Sequence, residues 1–404
     1  MPTQAHDTSL APQPLEPPPG CPFEPPTELT RLRTEAPISK VALHDGTWAW
    51  LVTRHADIRA VLGDHEHFSS MTTAPGYPVS GMTGGEVAST SGGLIRMDPP
   101  EHTRLRHMVT KEFMVKRIAT LEPSIEAFTE QLCDAMDHAE RPVDLVKALA
   151  LPLPSLVISL LLGVPDEDHA TFQHLTGVLL SRTTNPKQHL AAGRELVDYL
   201  DRLVASKQEH PGEDILGRLI VDEGQLTHRE LVAFAGILLV AGHETTANMI
   251  GLSALTLMRD PELAQRLRDD PALIPGAVEE LLRFHSIIRN GPRRAVLADT
   301  EVGGQLFRAG EGVIVAIHSA NRDPEAFSDP DRLDITRPNA QHHVAFGYGI
   351  HGCLGQSLAR AELRIVIEGL LRRYPTMRLA VPLEDVPFRS DMTIYGAHEL
   401  PVTW

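Results

Sequence analysis

The chain has 404 residues, of which 42 % are hydrophobic, enough for a large buried core and too many for a chain that is disordered throughout. Lysine and arginine number 37 and aspartate and glutamate 53, so the formal net charge of −16 argues against nucleic acid as a main partner. Only three cysteines occur, which excludes a disulfide scaffold and indicates a reducing cytoplasm.

Residues 1–27 are rich in proline and predict a mobile N-terminal tail without the basic stretch and apolar core of a secretory signal. The longest apolar run, Leu231 to Gly242, is about twelve residues, well short of the roughly 20 that span a bilayer. We therefore expect no membrane anchor, a cytoplasmic location and a monomer, with one large domain over residues 28–404.

Sheet-forming and loop-forming patterns come next along the chain. Between Val41 and Thr53, apolar residues alternate on either side of Asp45-Gly46, a pattern that predicts a hairpin. The nearly uncharged stretch from Ser69 to Gly93 consists mostly of Gly, Ser, Thr, Met and Pro. A connection of that length and composition is typical of a lid or a binding loop.

The rest of the chain is predicted to be largely helical. From Glu101 to about Met258, apolar residues recur every three or four positions, which predicts successive helices separated by short polar or proline-containing breaks. After Arg294 the pattern indicates short strands, then a helix from about Leu354 to Arg373, then strand-like segments. The predicted fold class is mainly α with a smaller β portion, in a single large domain.

The sharpest motif is the glycine-rich segment Phe346-Gly-Tyr-Gly-Ile-His-Gly-Cys353-Leu-Gly355. Its glycines would let the backbone wrap closely beneath a flat cofactor. The amides and positive dipole end of the helix predicted to follow Cys353 would stabilise a thiolate. A cysteine that is merely a small residue before a helix would fit the same local pattern.

This segment resembles the haem-binding loop of the cytochrome P450 family. The family pattern of Phe, two residues, Gly, three residues, Cys, one residue, Gly is met in full by Phe346, Gly349, Cys353 and Gly355. The resemblance covers essentially the whole chain and implies the cytochrome P450 fold, haem b (iron protoporphyrin IX) as cofactor and Cys353 as the ligand of its iron. It is closest to soluble actinobacterial members that hydroxylate macrolides, steroid-like compounds and xenobiotics.

The segment Ala241-Gly242-His243-Glu244-Thr245-Thr246 resembles the oxygen-binding stretch of the family's long central helix. Ala241 and Thr245 are one helical turn apart, and the small side chains at 241 and 242 would leave a notch for a diatomic molecule. Catalytic proton handling is assigned to the Thr245 hydroxyl, with Glu244 as its ionisable neighbour. A core helix whose threonine bonds back to its own backbone would show the same pattern.

The resemblance also assigns several charged or polar residues to the surroundings of the haem. Glu280 and Arg283 match the family's Glu-x-x-Arg pair, which is joined by Arg337 in a structural role. Buried propionates need cationic or neutral hydrogen-bond donors. The candidates for this cofactor contact are His102, Arg106, Arg294 and His351, with Arg293 as a rival for the role of Arg294.

The family layout further places an apolar pocket for the substrate. The predicted contacts are Met82, Ile95, Leu180, Leu239, Val240, Ile288 and Ile394. Each of these side chains could instead belong to the core, where apolar residues are most often found.

The implied reaction inserts one atom of O2 into an unactivated C–H bond of a bulky apolar small molecule. No flavin or nicotinamide fingerprint follows a predicted strand, so the electrons would come from outside this chain. The family resemblance implies a ferredoxin and its NAD(P)H-dependent reductase as their source. The locally basic segment from His102 to Arg117 would suit an acidic ferredoxin, although a solvated helix face would carry the same charges.

Other functions stay open at this point. A haem-thiolate ligand-binding or sensor protein would have the same cysteine loop, but it would not need the pair Glu244 and Thr245. A peroxide-driven oxygenase would have both. A zinc hydrolase would use His342, His343, His351 and Cys353, but no metal-paired acid motif precedes them, and Ala247 stands where His-Glu-x-x-His requires histidine.

Overall fold

The computed structural model describes residues 10–18, 20–78, 93–180, 184–223, 226–390, 392 and 394–404. The chain divides into two compact units. Unit 1 contains Met1–Arg104 and Glu279–Cys353, and unit 2 contains Leu105–Val278 and Leu354–Trp404. The cysteine loop therefore belongs to unit 1, and the helical segment with Thr245 belongs to unit 2.

Helices account for most of the regular structure. The α-helices of the described residues are α1 (Thr27–Glu35), α2 (His55–Gly63), α3 (Glu101–Thr110), α4 (Val115–Ala119), α5 (Glu122–His138), α6 (Pro152–Leu162), α7 (His169–Leu180), α8 (Pro186–Glu209), α9 (Ile215–Arg218), α10 (His228–Arg259), α11 (Pro261–Asp269), α12 (Ile274–His285), α13 (Ile317–Ala320) and α14 (Gln356–Arg373). Short 3-10 helices occur at Leu94–Arg96, Lys111–Phe113, Asp166–Asp168, Pro271–Leu273, Ala340–His342, Gly349–His351 and Leu383–Asp385, and π-helical turns at Val146–Ala150 and Leu219–Glu223.

The strands of the described residues are short. They are β1 (Ile38–Ala42), β2 (Trp48–Val52), β3 (Phe68–Ser69), β4 (Val143–Asp144), β5 (Arg293–Val296), β6 (Thr300–Val302), β7 (Gln305–Phe307), β8 (Gly312–Val315), β9 (Arg378–Leu379) and β10 (Pro401–Thr403). In unit 1, five strands form a sheet in the order β1-β2-β8-β5-β3, and β6 pairs with β7. In unit 2, β10 lies between β4 and β9.

The predicted hairpin forms the edge of the unit 1 sheet. β1 and β2 are antiparallel, with Ile38 opposite Val52 and Ala42 opposite Trp48. Asp45 closes the turn because its Oδ1 accepts the backbone N–H of Thr47 at 3.0 Å. The sheet then continues through a parallel pairing of β2 with β8, which no local pattern in the sequence indicates.

Helix α2 connects the core of unit 1 to the cysteine loop. Ile58, Val61 and Leu62 on this helix are buried in a cluster with Phe68, Phe307 and strand residues of the sheet. The same turn of α2 supports the loop from below, since a Cβ atom at Gly349 would collide with the carbonyl oxygen of Leu62. The packing of α2 against the sheet thus fixes where the loop lies within unit 1.

Unit 2 is built around the long helix α10, which packs against α6, α8 and α14. Its start is fixed by a capping box, in which the Thr227 side chain accepts the N–H of Glu230 and the Glu230 carboxylate accepts the N–H of Thr227. α10 has the length and mean hydropathy, 1.2, of a helix that could cross a membrane, and 50 % of its most apolar window is buried inside the structure. The buried core helix of a soluble protein passes the same test, so this is weak evidence for a membrane span.

Two predicted segments are described only in part. Two residues of the N-terminal tail bond to other parts of unit 1. Ala42 donates its N–H to the carbonyl of Ala11 at 2.8 Å, and Arg289 donates to the carbonyl of Pro22 at 3.1 Å. Of the predicted lid from Ser69 to Gly93, residues 79–92 lie outside the described residues. Met82, a predicted substrate contact, is among these.

Candidate active site

The cysteine loop has the backbone that its glycines predict. Gly347 and Gly349 both have φ of 72°, the left-handed region in which a side chain is strained. The Cys353 N–H donates to the carbonyl of Phe346 at 2.8 Å, which closes the loop on itself. Cys353 forms no disulfide and is partly exposed. Gly355 then caps α14, as the sequence predicted for the start of this helix to within two residues.

Two histidines predicted to face the haem lie together in unit 1. The rings of His102 and His351 have centroids 4.3 Å apart and are tilted by 51°. His102 is buried, with 1 % of its surface exposed, and His351 is half-buried two residues before Cys353. Arg106 is half-buried on α3, one helical turn after His102. The structure thus brings one pair of the predicted propionate contacts close to the cysteine.

Arg294 is a buried cation without an ion-pair partner among the described residues. Its side chain is 6 % exposed, its Nη1 donates to the carbonyl of Arg293 at 2.8 Å, and it forms no ion pair with any residue that the structure describes. Burial lowers the pKa of this guanidinium. A buried charge is costly unless it is paired, so Arg294 fits an anionic group supplied from outside the chain. The rival Arg293 is half-buried and donates to the carbonyl of Pro78 at 3.1 Å.

The donor set therefore fits a haem b group. A haem presents one metal to be ligated and two propionates to be neutralised. Unit 1 offers a cysteine outside any disulfide, a buried guanidinium with no ion pair among the described residues, and two adjacent imidazoles. Phe346 begins the loop, and the centroid of its ring lies 5.7 Å from that of His343. Cys353, Arg294, His102 and His351 are the residues that would hold the group.

Glu280 is the centre of a separate, fully paired network in unit 1. Its carboxylate accepts from Arg283 Nε and Nη2, each at 2.7 Å, from Arg337 Nε at 3.1 Å and from the N–H of Asp334 at 2.8 Å. Glu280 and Arg283 are completely buried. Breaking such a network leaves an uncompensated charge, typically at a cost of about 3–5 kcal/mol. The geometry suits the bracing role that the sequence predicted for this triad.

The predicted oxygen-binding stretch lies in the middle of α10, in unit 2. Thr245 is half-buried and its Oγ1 donates to the carbonyl of Ala241 at 2.6 Å, one turn earlier. Ala241 is exposed. A Cβ atom at Gly242 would meet Ile158 Cδ1 at 2.6 Å, so the glycine lets α6 and α10 pack closely. The notch for a diatomic molecule stays a prediction.

Glu244 is held in an ion pair that sequence reasoning missed. Arg389 Nη1 donates to Glu244 Oε2 at 2.6 Å and to Asn248 Oδ1 at 3.2 Å. Asn248 Nδ2 donates to the backbone carbonyl of Glu244 at 2.7 Å. The four-residue spacing of Glu244 and Asn248 was a readable signal of their contact. Nothing in the pattern around Arg389, 145 residues away, indicates its part in this site.

The predicted substrate contacts divide between the two units. Ile95, which is 52 % exposed, and the half-buried Ile288 lie in unit 1. In unit 2, Leu239 and Ile394 are buried and Val240 is half-buried, and Leu180 is the last residue of α7. Because the predicted contacts belong to two separate units, the substrate pocket stays a prediction.

The residues of the zinc alternative have other partners in unit 1. His343 accepts the N–H of Ala345 at its Nδ1, 3.1 Å away, and its Nε2 lies 3.3 Å from the Glu279 carboxylate. His342 uses its carbonyl oxygen to bond the ring of His55 at 3.0 Å. Across the described ranges, no group of three or more His, Cys, Asp or Glu side chains is placed to hold a metal ion.

The basic segment predicted to meet a ferredoxin is partly exposed. Within unit 2, Lys111 and Lys116 point into solvent, next to the exposed side chains of Met114 and Val115. Arg117 is 3.6 Å from the buried carboxylate of Glu112, which Arg218 also pairs at 2.6 Å. The exposed positive charges of this stretch are therefore mainly those of its lysines.

A family model and several known proteins match this chain. The family model "Cytochrome P450" matches residues 169–387. "Cytochrome P450-SU2" of Streptomyces griseolus is 50 % identical over 96 % of this chain and 95 % of its own length, and "Vitamin D3 dihydroxylase" of the same organism is 44 % identical over 98 % and 100 %. The crystal structure of CYP105P1 in complex with filipin I has a TM-score of 0.89 and 40 % identity, with 98 % of this chain and 99 % of that chain covered. These matches confirm the predicted fold class.

Proposed function

The chain belongs to the cytochrome P450 family of haem-thiolate monooxygenases, and on that premise we propose that it hydroxylates an unactivated C–H bond of a bulky apolar small molecule. The balanced reaction takes one O2, two electrons and two protons, and it yields the alcohol and one water. The cysteine loop of unit 1 carries the proposal, because a cysteine outside any disulfide, two adjacent histidines and a buried arginine with no ion pair among the described residues together match the needs of haem b.

Cys353 is the proposed ligand of the haem iron. When thiolate-ligated haem is bound, the chemistry it supplies is cleavage of the O–O bond, favoured by electron donation from sulfur. The chain itself would bind and orient the haem. The Cys353 N–H bond to Phe346 and the left-handed glycines fix the backbone that carries the sulfur. His102, Arg294 and His351 would neutralise and orient the propionates.

Thr245 and Glu244 are the proposed proton-handling pair. The Thr245 hydroxyl donates to Ala241 and keeps its oxygen lone pairs free to accept from a water molecule. Glu244 occupies the preceding position of the same helix, and its carboxylate Oε2 is fixed by Arg389. A positioned acid or alcohol contributes typically about 10²–10⁴-fold to a step that requires a proton.

The proposed electron donors are a ferredoxin and its NAD(P)H-dependent reductase, acting on a cytoplasmic monomer. The exposed lysines beside Met114 and Val115 would attract an acidic partner. We expect Lys111→Glu to slow reduction by ferredoxin, and more strongly at low salt, because screening weakens such steering. Lys187→Glu, an equal charge reversal at an exposed lysine outside this segment, should leave the rate unchanged. Equal rates in both variants would contradict the docking role.

The proposed substrate class is large and apolar. The names of two relatives mention vitamin D3 and filipin I, which supports a first panel of these two compounds. Binding is measured as the spin-state shift of the ferric enzyme, and hydroxylation as product formed with ferredoxin, reductase and NAD(P)H. A haem-thiolate sensor would bind without turnover. A peroxide-driven oxygenase would form product with hydrogen peroxide alone at a rate independent of ferredoxin.

The decisive test of the haem site is the absorption spectrum of the reduced protein under carbon monoxide. A thiolate opposite the gas gives a strongly red-shifted main band, and we expect this band in the native protein and its loss in Cys353→Ser. Cys21→Ser removes a free thiol elsewhere in unit 1 and should leave the band unchanged. A red-shifted band that survives in Cys353→Ser would refute the assignment.

A further inference from the structure

A buried network in unit 2 joins the proposed proton-handling acid to the C-terminal part of the chain. Arg389, Glu244 and Asn248 are 7 %, 2 % and 4 % exposed. The guanidinium donates to both the Glu244 carboxylate and the Asn248 amide oxygen, and the amide nitrogen donates back to the Glu244 carbonyl. The three side chains therefore form a closed network in which each holds another in place.

The described residues 388–390, 392 and 394–397, here named the C-terminal turn, contact this network from two sides. Phe388 pairs with Ala397 in an antiparallel bridge, and Arg389 donates its N–H to the Gly396 carbonyl at 2.9 Å. Gly396 lies so close to Asn248 that a Cβ atom at 396 would collide with the amide group. One side of the turn thus supplies the arginine and the other fits against the asparagine, with the predicted substrate contact Ile394 between them.

The charges around Glu244 make Arg389 its principal partner. His243, the neighbouring residue in sequence, is buried and bonds the Leu151 carbonyl at 3.2 Å, and burial lowers its pKa. It is therefore neutral at physiological pH. Among the described residues, Arg389 is the cation that forms an ion pair with Glu244. Removing one partner of such a pair leaves the other charge buried and unpaired, which favours a rearranged structure.

We propose that Arg389 is a positioning residue that fixes the Glu244 carboxylate and makes its position depend on the conformation of the C-terminal turn. The proposal rests on the proposed proton-handling role of Glu244. A substrate that packs against Ile394 and holds the turn in place thereby also holds the acid ready to deliver a proton. A substrate that leaves the turn loose frees the acid to move, and electrons are then lost as hydrogen peroxide, which takes one O2, two electrons and two protons.

The first test needs no turnover. Amide hydrogen exchange of the C-terminal turn is measured by mass spectrometry on the ferric holoenzyme, in the native protein and in R389Q, R389K and R373Q. Arg373 pairs with three acidic residues on the surface of unit 2, so R373Q is a matched loss of a paired arginine away from the site. We expect roughly tenfold faster exchange of the turn in R389Q, an intermediate change in R389K, and none in R373Q.

The second test measures the fraction of electrons that end in product. With the panel compound that gives the larger spin-state shift, or with 7-ethoxycoumarin if neither shifts it, we expect R389Q to lower product per NAD(P)H roughly tenfold, at a substrate dissociation constant within about twofold of native. R389K should recover part of the loss. In an E244Q background the R389Q substitution should add no further loss, because the arginine acts through the acid.

Particular results would overturn the proposal. One is weaker substrate binding in R389Q with unchanged product per NAD(P)H. A second is that the losses of product per NAD(P)H in R389Q and E244Q multiply in the double variant. A third is equal amide hydrogen exchange of the turn in R389Q and R373Q. If R389Q does not retain haem, R389K alone decides, and native exchange together with native coupling in that variant overturns the idea. Failure of the proposed function looks different, because then the native enzyme itself forms no product while the exchange result still stands.

Discussion

Glu362→Gln should stabilise this protein at neutral and alkaline pH. Glu362 lies on α14, nine residues after Cys353, and is 2 % exposed. Its Oε2 has no hydrogen-bond partner, and in the described part of the chain no cation pairs with it. Burial alone raises the pKa of this carboxyl to about 8, from an ordinary value of 4.5. The folded protein therefore keeps a proton at neutral pH that the unfolded chain releases.

The size of the effect follows from the two pKa values. Below pH 4.5 both states are protonated and ionisation costs nothing. As the pH rises from 4.5 toward 8, each pH unit costs about 1.4 kcal/mol of folding free energy, because the unfolded state alone gains by ionising. The cost at pH 7 is thus about 3 kcal/mol. Glutamine keeps the shape of the side chain and has no proton to lose, so it removes this cost.

The assay is urea-induced unfolding of the holoenzyme at pH 5, 6, 7 and 8, followed by tryptophan fluorescence. Any fixed cost of burying the amide is the same at every pH, so the informative quantity is how the gap between variant and native stability changes with pH. We expect this gap to grow in favour of Glu362→Gln by roughly 3–4 kcal/mol between pH 5 and pH 8.

Glu368→Gln is the matched control for this prediction. Glu368 lies on the same helix, its side chain is 41 % exposed, and it pairs with Arg364 at 3.5 Å. An exposed pair of this kind contributes less than about 1 kcal/mol, so the gap should stay nearly constant with pH. A constant gap for Glu362→Gln as well would mean that the carboxyl ionises as freely in the folded protein as in the unfolded chain, and the reasoning from burial would be wrong.

Three further predictions concern single residues. Burial lowers the pKa of His318 to about 3 from 6.5, so the contribution of the neutral imidazole to the free energy of unfolding is full above pH 6.5 and declines as the pH falls toward 3. In urea titrations, His318→Gln should remove about 2 kcal/mol of the stability that the native protein loses between pH 7 and pH 5. An unchanged pH dependence would contradict this. Thr245→Ala should release hydrogen peroxide in place of product, with Thr245→Ser restoring coupling, and native coupling in Thr245→Ala would refute the proton role. Glu280→Gln should lower the free energy of unfolding by about 3–5 kcal/mol without moving the carbon monoxide band of haem-loaded protein, and a loss below about 1 kcal/mol would show that the triad does not brace unit 1.

Local sequence patterns predicted the helices and strands that are determined by residues close together in the chain. Asp45-Gly46 predicts the β1–β2 hairpin because its turn chemistry lies within the dipeptide and its neighbours. The three- and four-residue apolar spacing predicts α3 to α10 for the same reason. The two-residue strand β4 was missed inside that helical stretch, since its pairing partner β10 lies more than 250 residues away. The parallel pairing of β2 with β8 is equally invisible to any local pattern.

The site shows the same division between local and distant causes. The bond from Thr245 to Ala241 follows from helical spacing alone, and it was the stated alternative to a free hydroxyl. The close packing at Gly242 could not be predicted from local spacing, because its neighbour, Ile158, comes from another helix. The partner of Glu244 could not be predicted, because an isolated arginine in a short C-terminal segment has no periodicity that would mark it as buried.

The buried charged residues of the chain differ in how many hydrogen bonds and ion pairs they form. This difference separates residues with a structural role from residues suited to bind a ligand. Glu280 is bonded by two arginines and a backbone N–H, so it needs nothing from outside. Glu244 is bonded by one arginine of the C-terminal turn and by one asparagine. Among the described residues, Arg294 bonds a backbone carbonyl and forms no ion pair, which is costly for a buried cation. A propionate of the proposed haem would supply the missing anion.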